Sequence, residues 1–213
     1  MGFAPGAHGS ARVVVLVDGE PPQAWLLEEG GEGVEIVREV TQMGLRGAPA
    51  ASIRLSGASC TRADGHSGQE ALDLVRAGTA AIARGVARRA REMALEYAGE
   101  RRQGGVAIIE HEAVSDMLSA MRVREAYVPG AGGGGPCSPS ARALTEKIAA
   151  SEAASEAAMA STTDVVQVFG GTGYMVETGV EKLMRDAEYC RLFPELNHVG
   201  HRELMALERA GRR

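Results

Sequence analysis

A chain of 213 residues, 45% of them apolar, is long enough to bury a genuine core as one sizeable domain or two small ones. Aromatic residues make up only 4% against 28 glycines, which favours helices packed closely through small side chains over a core of large rings. A formal net charge of -5 argues against a nucleic-acid partner, and the three scattered cysteines, Cys60, Cys137 and Cys190, argue against a disulfide framework or a zinc site.

No run of about eighteen apolar residues occurs, and the N-terminus lacks the basic-then-apolar layout of a signal peptide, so the expected location is cytoplasmic with no membrane partner. Residues 1–10 are small and rich in breakers, and read as a loose lead-in. Strand signals follow: Arg12–Val17, Ala24–Leu27, Val34–Val40 and Ala51–Leu55, separated by turns at residues 18–22 and 28–33. Four short strands make a small antiparallel sheet with two edges to protect.

From His66 the signal turns helical. Leu72, Val75, Thr79, Ile82, Val86, Ala90, Met93 and Tyr97 recur at steps of three and four, which predicts one buried stripe on a helix from Gly68 to Arg102, ended by Gly104 and Gly105. The arginines at 84, 88, 89 and 91 read as a solvated or anion-facing stripe of that helix. A second helix is expected from Ile109 to Tyr127, a flexible loop from Val128 to Pro139, and an Ala/Ser-rich third helix from Ser140 to Phe169. Beyond a glycine corner at Gly170, Gly171 and Gly173, a short helix from Thr178 to Tyr189 and a last one from Glu195 to Arg209 complete the reading. The fold class is therefore α+β and mostly α: a partial β-domain over 1–63, then an up-and-down four-helix bundle over 64–213.

The corner is also the most informative string. Gln167-x-x-Gly170-Gly171, Gly173-Tyr174 and the run Val180 to Asp186 closely resemble the penultimate helices of the acyl-CoA dehydrogenase family. The resemblance extends upstream through residues 43–47, Asp73 and Arg76, and the segment Tyr97 to Gln103, and covers roughly residues 10 to 193. It implies the second half of the family's middle β-domain joined to its C-terminal bundle, while the family's N-terminal helical domain has no counterpart in the sequence.

What the resemblance implies about chemistry is specific to positions. Arg101, Gln103, Gln167, Gly170 and Gly171 match contacts to FAD, which the family binds across a subunit interface, so Arg101 would serve a diphosphate held chiefly by a neighbour. The plainer reading of Arg101 is a helix-end ion pair with Glu100 or Glu96. The family's aromatic at this segment is replaced by Gly104. Arg76 matches an arginine on the substrate side, and the alternative base position beside it is Val75. The usual catalytic glutamate falls on Pro194, after Phe193, which leaves Glu195 as the neighbouring carboxylate; Leu196 and His198 stand where flavin contacts are usual. A carboxylate is what α-proton abstraction from an acyl thioester needs.

Three readings follow. The chain is a reduced, non-catalytic subunit of a heteromeric, FAD-dependent acyl-CoA dehydrogenase, joined to a longer family chain or to itself through the bundle, with acyl-CoA as a possible ligand. Alternatively it is a flavin-free helical assembly module, or an enzyme of redox-neutral chemistry using the remodelled loop from Phe193 to His198. No metal is expected.

Overall fold

The computed structural model describes residues 2–5, 12–17, 23–28, 31–62, 68–127, 141–192, 200–202, 204–205 and 209. They form two compact units, Met1–Val75 and Arg76–Arg213.

The first unit holds two three-stranded antiparallel sheets. One has β1 (Gly2–Pro5), β5 (Ala50–Leu55) and β4 (Val34–Val40) in the order β1-β5-β4; the other has β2 (Arg12–Val17), β3 (Gln23–Glu28) and β6 (Cys60–Arg62) in the order β2-β3-β6. All four predicted strands are present. Part of the lead-in is a fifth, since Gly2 pairs with Ile53 and Pro5 with Ala50, and Cys60–Arg62 is a sixth. Both fall on edges, where a short segment gains a ladder of hydrogen bonds without hydrophobic alternation of its own, so no periodic signal marked them. The buried side chains are Ala24, Leu27, Ala50, Ala51 and Ile53; Ile36 and Leu55 remain 39% and 41% exposed, so one face of β4 and the end of β5 are open. A bulge between Ile36 and Arg38 shifts the register of β4 against β5. Between β4 and β5 the loop is closed on itself by Gln42 Nε2 donating to the Ala48 carbonyl at 2.7 Å and Arg46 Nε to the Gln42 carbonyl at 3.1 Å.

In the second unit, four helices run up and down: α1 (Gly68–Glu100), which begins in the first unit, α2 (Glu112–Tyr127), α3 (Ala141–Phe169) and α4 (Val180–Leu192). Residues 200–202 and 204–205 are helical as well, as the last predicted helix requires. Ala, Arg, Glu and Leu dominate α1 and favour the helix intrinsically. Its buried face keeps Leu72, Val86 and Ala90 of the predicted stripe, with Thr79, Met93 and Tyr97 half-buried, and departs from it at two positions. Val75 is 40% and Ile82 44% exposed, whereas Arg76, Ala80, Ala83, Ala87, Ala90, Ala94 and Ala98 are buried at 5% or less. The inner face is an alanine seam at steps of three and four, on which Leu72 and Val86 are buried as well.

The core of the bundle joins Ala90, Ala94 and Ala98 of α1, Leu118 and Met121 of α2, Val165 and Val168 of α3 and Val180 of α4. The small polar residues Ser151, Ser155, Ser161 and Thr162 share the buried side of α3. Ser155 Oγ ties α3 to α4, donating toward the Ser151 carbonyl at 2.9 Å and lying 3.2 Å from that of Cys190. Two half-buried ion pairs brace the helices laterally: Arg91 Nε to Glu125 at 2.6 Å between α1 and α2, and Arg124 to Asp164 between α2 and α3.

Candidate functional site

The C-terminal end of α1 is one side of the site. The Arg101 N–H donates to the Tyr97 carbonyl at 2.8 Å, closing the last turn, and the Arg101 carbonyl accepts from Ile108 N–H at 2.8 Å. Between these bonds lies a small hairpin, β7 (Arg102–Gln103) and β8 (Val106–Ala107). Its two-residue turn is Gly104–Gly105, both at positive φ (62° and 88°), the geometry that a right-twisted hairpin requires of both central residues. The glycines were expected to end the helix; they turn a hairpin, and α1 stops at Glu100. The Arg101 side chain is exposed and forms no ion pair among the described residues, with Glu100 or Glu96 or any other. Gln103 is exposed too.

The C-terminal end of α3 is the other side. Gln167 is exposed on its last turn, and a 3-10 turn over Gly170–Tyr174 follows Phe169. The three glycines of this corner do different things. Gly170 has φ 60°, the left-handed conformation that terminates a helix. Gly173 is buried against α3: a Cβ there would meet the Val166 carbonyl oxygen at 2.5 Å and Phe169 Cβ at 2.9 Å. Gly171 has neither constraint, being exposed, outside the positive-φ set and with nothing within 4 Å of an added Cβ. The corner is fixed by hydrogen bonds, Thr172 Oγ1 to the Phe169 carbonyl at 2.8 Å and Met175 N–H to the Thr172 carbonyl at 3.0 Å. It carries Tyr174, Met175 and Val176 outward, 83%, 54% and 75% exposed.

What joins the two sides is an aromatic stack. The rings of Tyr97 and Phe169 lie 4.1 Å apart at 15°, so the ends of α1 and α3 sit side by side. Arg101 follows Tyr97 by one helical turn and Gly170 follows Phe169 directly, so all five predicted cofactor residues lie at one end of the bundle. An exposed guanidinium without a carboxylate partner, two exposed side-chain amides and a bare backbone at Gly171 suit the diphosphate and adenosine portion of a dinucleotide. These residues fit that half of FAD. For the flavin ring they offer nothing at residue 104, where a glycine turns the hairpin.

Arg76 is elsewhere. It is 2% exposed, and a Cβ at Gly200 would meet its Nη2 at 2.8 Å and Ile148 Cδ1 at 2.8 Å, so the helical segment at 200–202 covers it. Phe193, Pro194, Glu195, Leu196 and His198 lie outside the described residues, as do Cys137 and the expected loop at 128–139. Among the described residues no group of three or more His, Cys, Asp or Glu is placed to hold a metal, and no helix is long and apolar enough to cross a membrane.

In α4 the motif residues serve the fold. Arg185 Nη2 bonds Glu181 at 2.9 Å and holds that carboxyl below its usual value, and Asp186, 4% exposed, pairs with Lys182. Burial, reinforced by the Asp186 carboxylate, pushes the Cys190 thiol up to about 11, which leaves it unreactive. One residue of the site went unread in the sequence: His111, whose Nε2 lies 3.3 Å from the Gln103 carbonyl oxygen. Nothing in its spacing marks it, because only the hairpin brings residue 103 back over residue 111.

Comparison with known proteins gives a consistent picture. A family profile described as the C-terminal domain of acyl-CoA dehydrogenase matches residues 66–128 and 134–194. A Mycobacterium tuberculosis protein described as a probable acyl-CoA dehydrogenase is 30% identical over 187 residues, covering 83% of this chain and 48% of that protein. The acyl-CoA dehydrogenase of Bacillus subtilis is 29% identical over 199 residues, covering 83% and 49%. Among solved structures, butyryl-CoA dehydrogenase from Megasphaera elsdenii matches with a TM-score of 0.70 and 26% identity over 95% of this chain and 56% of its own. A chain in a structure of the electron transferring flavoprotein of Acidaminococcus fermentans matches with a TM-score of 0.74 and 25% identity, over 98% and 59%. The chain thus spans about half the length of the curated relatives it matches.

Proposed function

The chain belongs to the acyl-CoA dehydrogenase family, and from that premise we propose that it is a subunit of an FAD-dependent acyl-CoA dehydrogenase assembly, holding the cofactor's diphosphate end for a partner that carries the acyl site. The observation that carries this reading is a separation. Arg76, on the substrate side by family resemblance, and Arg101, on the cofactor side, stand at opposite ends of α1, about 37 Å apart at the rise of an α-helix. The residues matched to substrate and to cofactor thus lie far apart along one helix, which supports a bundle that serves sites completed by another chain.

Within such a site, bound FAD supplies hydride acceptance from the acyl β-carbon. This chain's share is binding and orientation. Arg101 forms charge-assisted hydrogen bonds to the diphosphate, Gln103 and Gln167 bond the adenosine end, and Gly170 and Gly171 let the nucleotide lie against bare backbone. The base belongs to the partner, since the usual position is Pro194, which has no proton to exchange; Glu195 is the one carboxylate beside it.

Co-expression with a full-length acyl-CoA dehydrogenase chain, followed by sedimentation and flavin absorbance, tests the proposal. It predicts a stoichiometric complex that retains FAD, while the chain purified alone holds little flavin and oxidises no acyl-CoA. A well-folded monomer indifferent to the longer chain would leave the flavin-free assembly module in its place. Turnover of the assembly bearing Glu195→Gln locates the base: unchanged turnover places it on the partner, and a fall by orders of magnitude places it here.

A further inference from the structure

A hairpin of two residues per strand cannot hold itself in place. Yet Arg101 borders one and Gln103 belongs to it, and a cation serves a diphosphate well only when its position is fixed in advance. Besides the burial of Ala107 and the Arg101 N–H bond to Tyr97, two contacts tie the hairpin to the bundle. One is the Ile108 N–H bond to the Arg101 carbonyl at 2.8 Å; the other is His111 Nε2 at 3.3 Å from the Gln103 carbonyl oxygen. A carbonyl only accepts, so Nε2 carries the proton in this pairing. The imidazole lies directly beneath the turn, since a Cβ added at Gly104 would stand 3.7 Å from its Cε1.

The backbone of His111 is fixed, although the residue is exposed. Its N–H donates to the Ile108 carbonyl at 3.1 Å, and its own carbonyl accepts from Val114 and Ser115 N–H at 3.0 Å each, at the start of α2. That helix is anchored by Leu118 and Met121 in the bundle core. A continuous line of contacts therefore runs from the core through His111 to the backbone two residues beyond Arg101.

We infer that His111 is the positioning residue of this site, holding Arg101 and Gln103 in the geometry that receives an adenosine diphosphate group by donating to the Gln103 carbonyl. The inference rests on the nucleotide reading above. Three variants of this chain, each in the flavin-stripped assembly with the longer chain and titrated calorimetrically with ADP to millimolar concentration, separate the two. Arg101→Glu weakens ADP binding at least about tenfold by reversing the charge. His111→Phe, which keeps a ring but loses the donor, weakens it about five- to tenfold, and His111→Gln, whose amide keeps a donor at similar reach, stays within about twofold of wild type. Wild-type affinity in His111→Phe beside a weakened Arg101→Glu overturns the inference alone, as does equal loss in the Phe and Gln variants, which would reduce the residue to packing. Absence of ADP binding in the assembly with the unaltered chain, or binding indifferent to Arg101→Glu, overturns the nucleotide reading and this inference together.

Discussion

The two sides of the candidate site each carry a pair of adjacent glycines, and the pairs answer to different demands. At Gly104 and Gly105 both residues have positive φ, so the hairpin's geometry accounts for both. At Gly170 and Gly171 only the first does; the second sits exposed, in open space, at no conformational necessity. Gly47, Gly78, Gly85 and Gly99 are equally open, so what singles out Gly171 is its place beside Gln167 and Gly170. The difference teaches where structural need ends and binding begins, and it can be measured one residue at a time.

The largest stability effect belongs to the third glycine of the corner. Gly173→Ala forces a methyl group onto the Val166 carbonyl and Phe169 Cβ and is expected to cost about 2–4 kcal/mol in urea unfolding. A loss under about 1 kcal/mol would mean that the corner yields easily and that its shape is no fixed platform. Next come the glycines held by φ alone: Gly104→Ala, Gly105→Ala and Gly170→Ala should each cost about 1–2 kcal/mol, the left-handed penalty of a residue with a Cβ.

Gly171→Ala sharpens the comparison most. Its stability should stay within about 0.5 kcal/mol of wild type while flavin retention in the assembly falls, a dissociation that no purely structural glycine shows. If stability falls as far as it does for Gly170→Ala, the two pairs are alike and the contrast is lost. The smallest effect is at the start of α4, just beyond the corner. Arg185 holds Glu181 below its usual value of 4.5, so the pair's contribution is complete above that pH and is lost as pH falls through the lower folded value. Glu181→Gln should therefore melt about 1–2 °C below wild type at neutral pH, with the gap closing in acid.

Much of the fold was legible because its signals are local. The β-branched runs gave strands β2 to β5, and spacing at three and four gave the helices nearly to their ends. Where the reading failed, the physics was not local. Val75 and Ile82 outrank alanine on any hydrophobic count, yet they are exposed while Ala80, Ala83 and Ala87 are buried, a choice made by what packs against α1 and not by its own letters. The edge strands Gly2–Pro5 and Cys60–Arg62 owe their form to partners some fifty and thirty-five residues away in sequence, as the pairings Gly2 with Ile53 and Trp25 with Arg62 show. Of the site, Arg101, Gln103 and the Gln167 to Gly171 string were legible by family resemblance. Their convergence was not, since it depends on the ring stack of Tyr97 on Phe169, and neither was His111. A two-glycine hairpin was readable in principle from Gly104–Gly105 between short polar and apolar pairs, but a helix end explains the same letters.

The central claim is that the exposed end of the bundle at Arg101 receives the diphosphate of a flavin held in common with a partner chain. Flavin absorbance per complex, measured on the co-purified assembly with wild-type Arg101 and with Arg101→Glu, tests it most directly. The account predicts full occupancy in the first and a loss of flavin in the second, with sedimentation and melting temperature unchanged because the Arg101 side chain is exposed and has no ion pair to lose among the described residues. Equal flavin content in the two assemblies would contradict it.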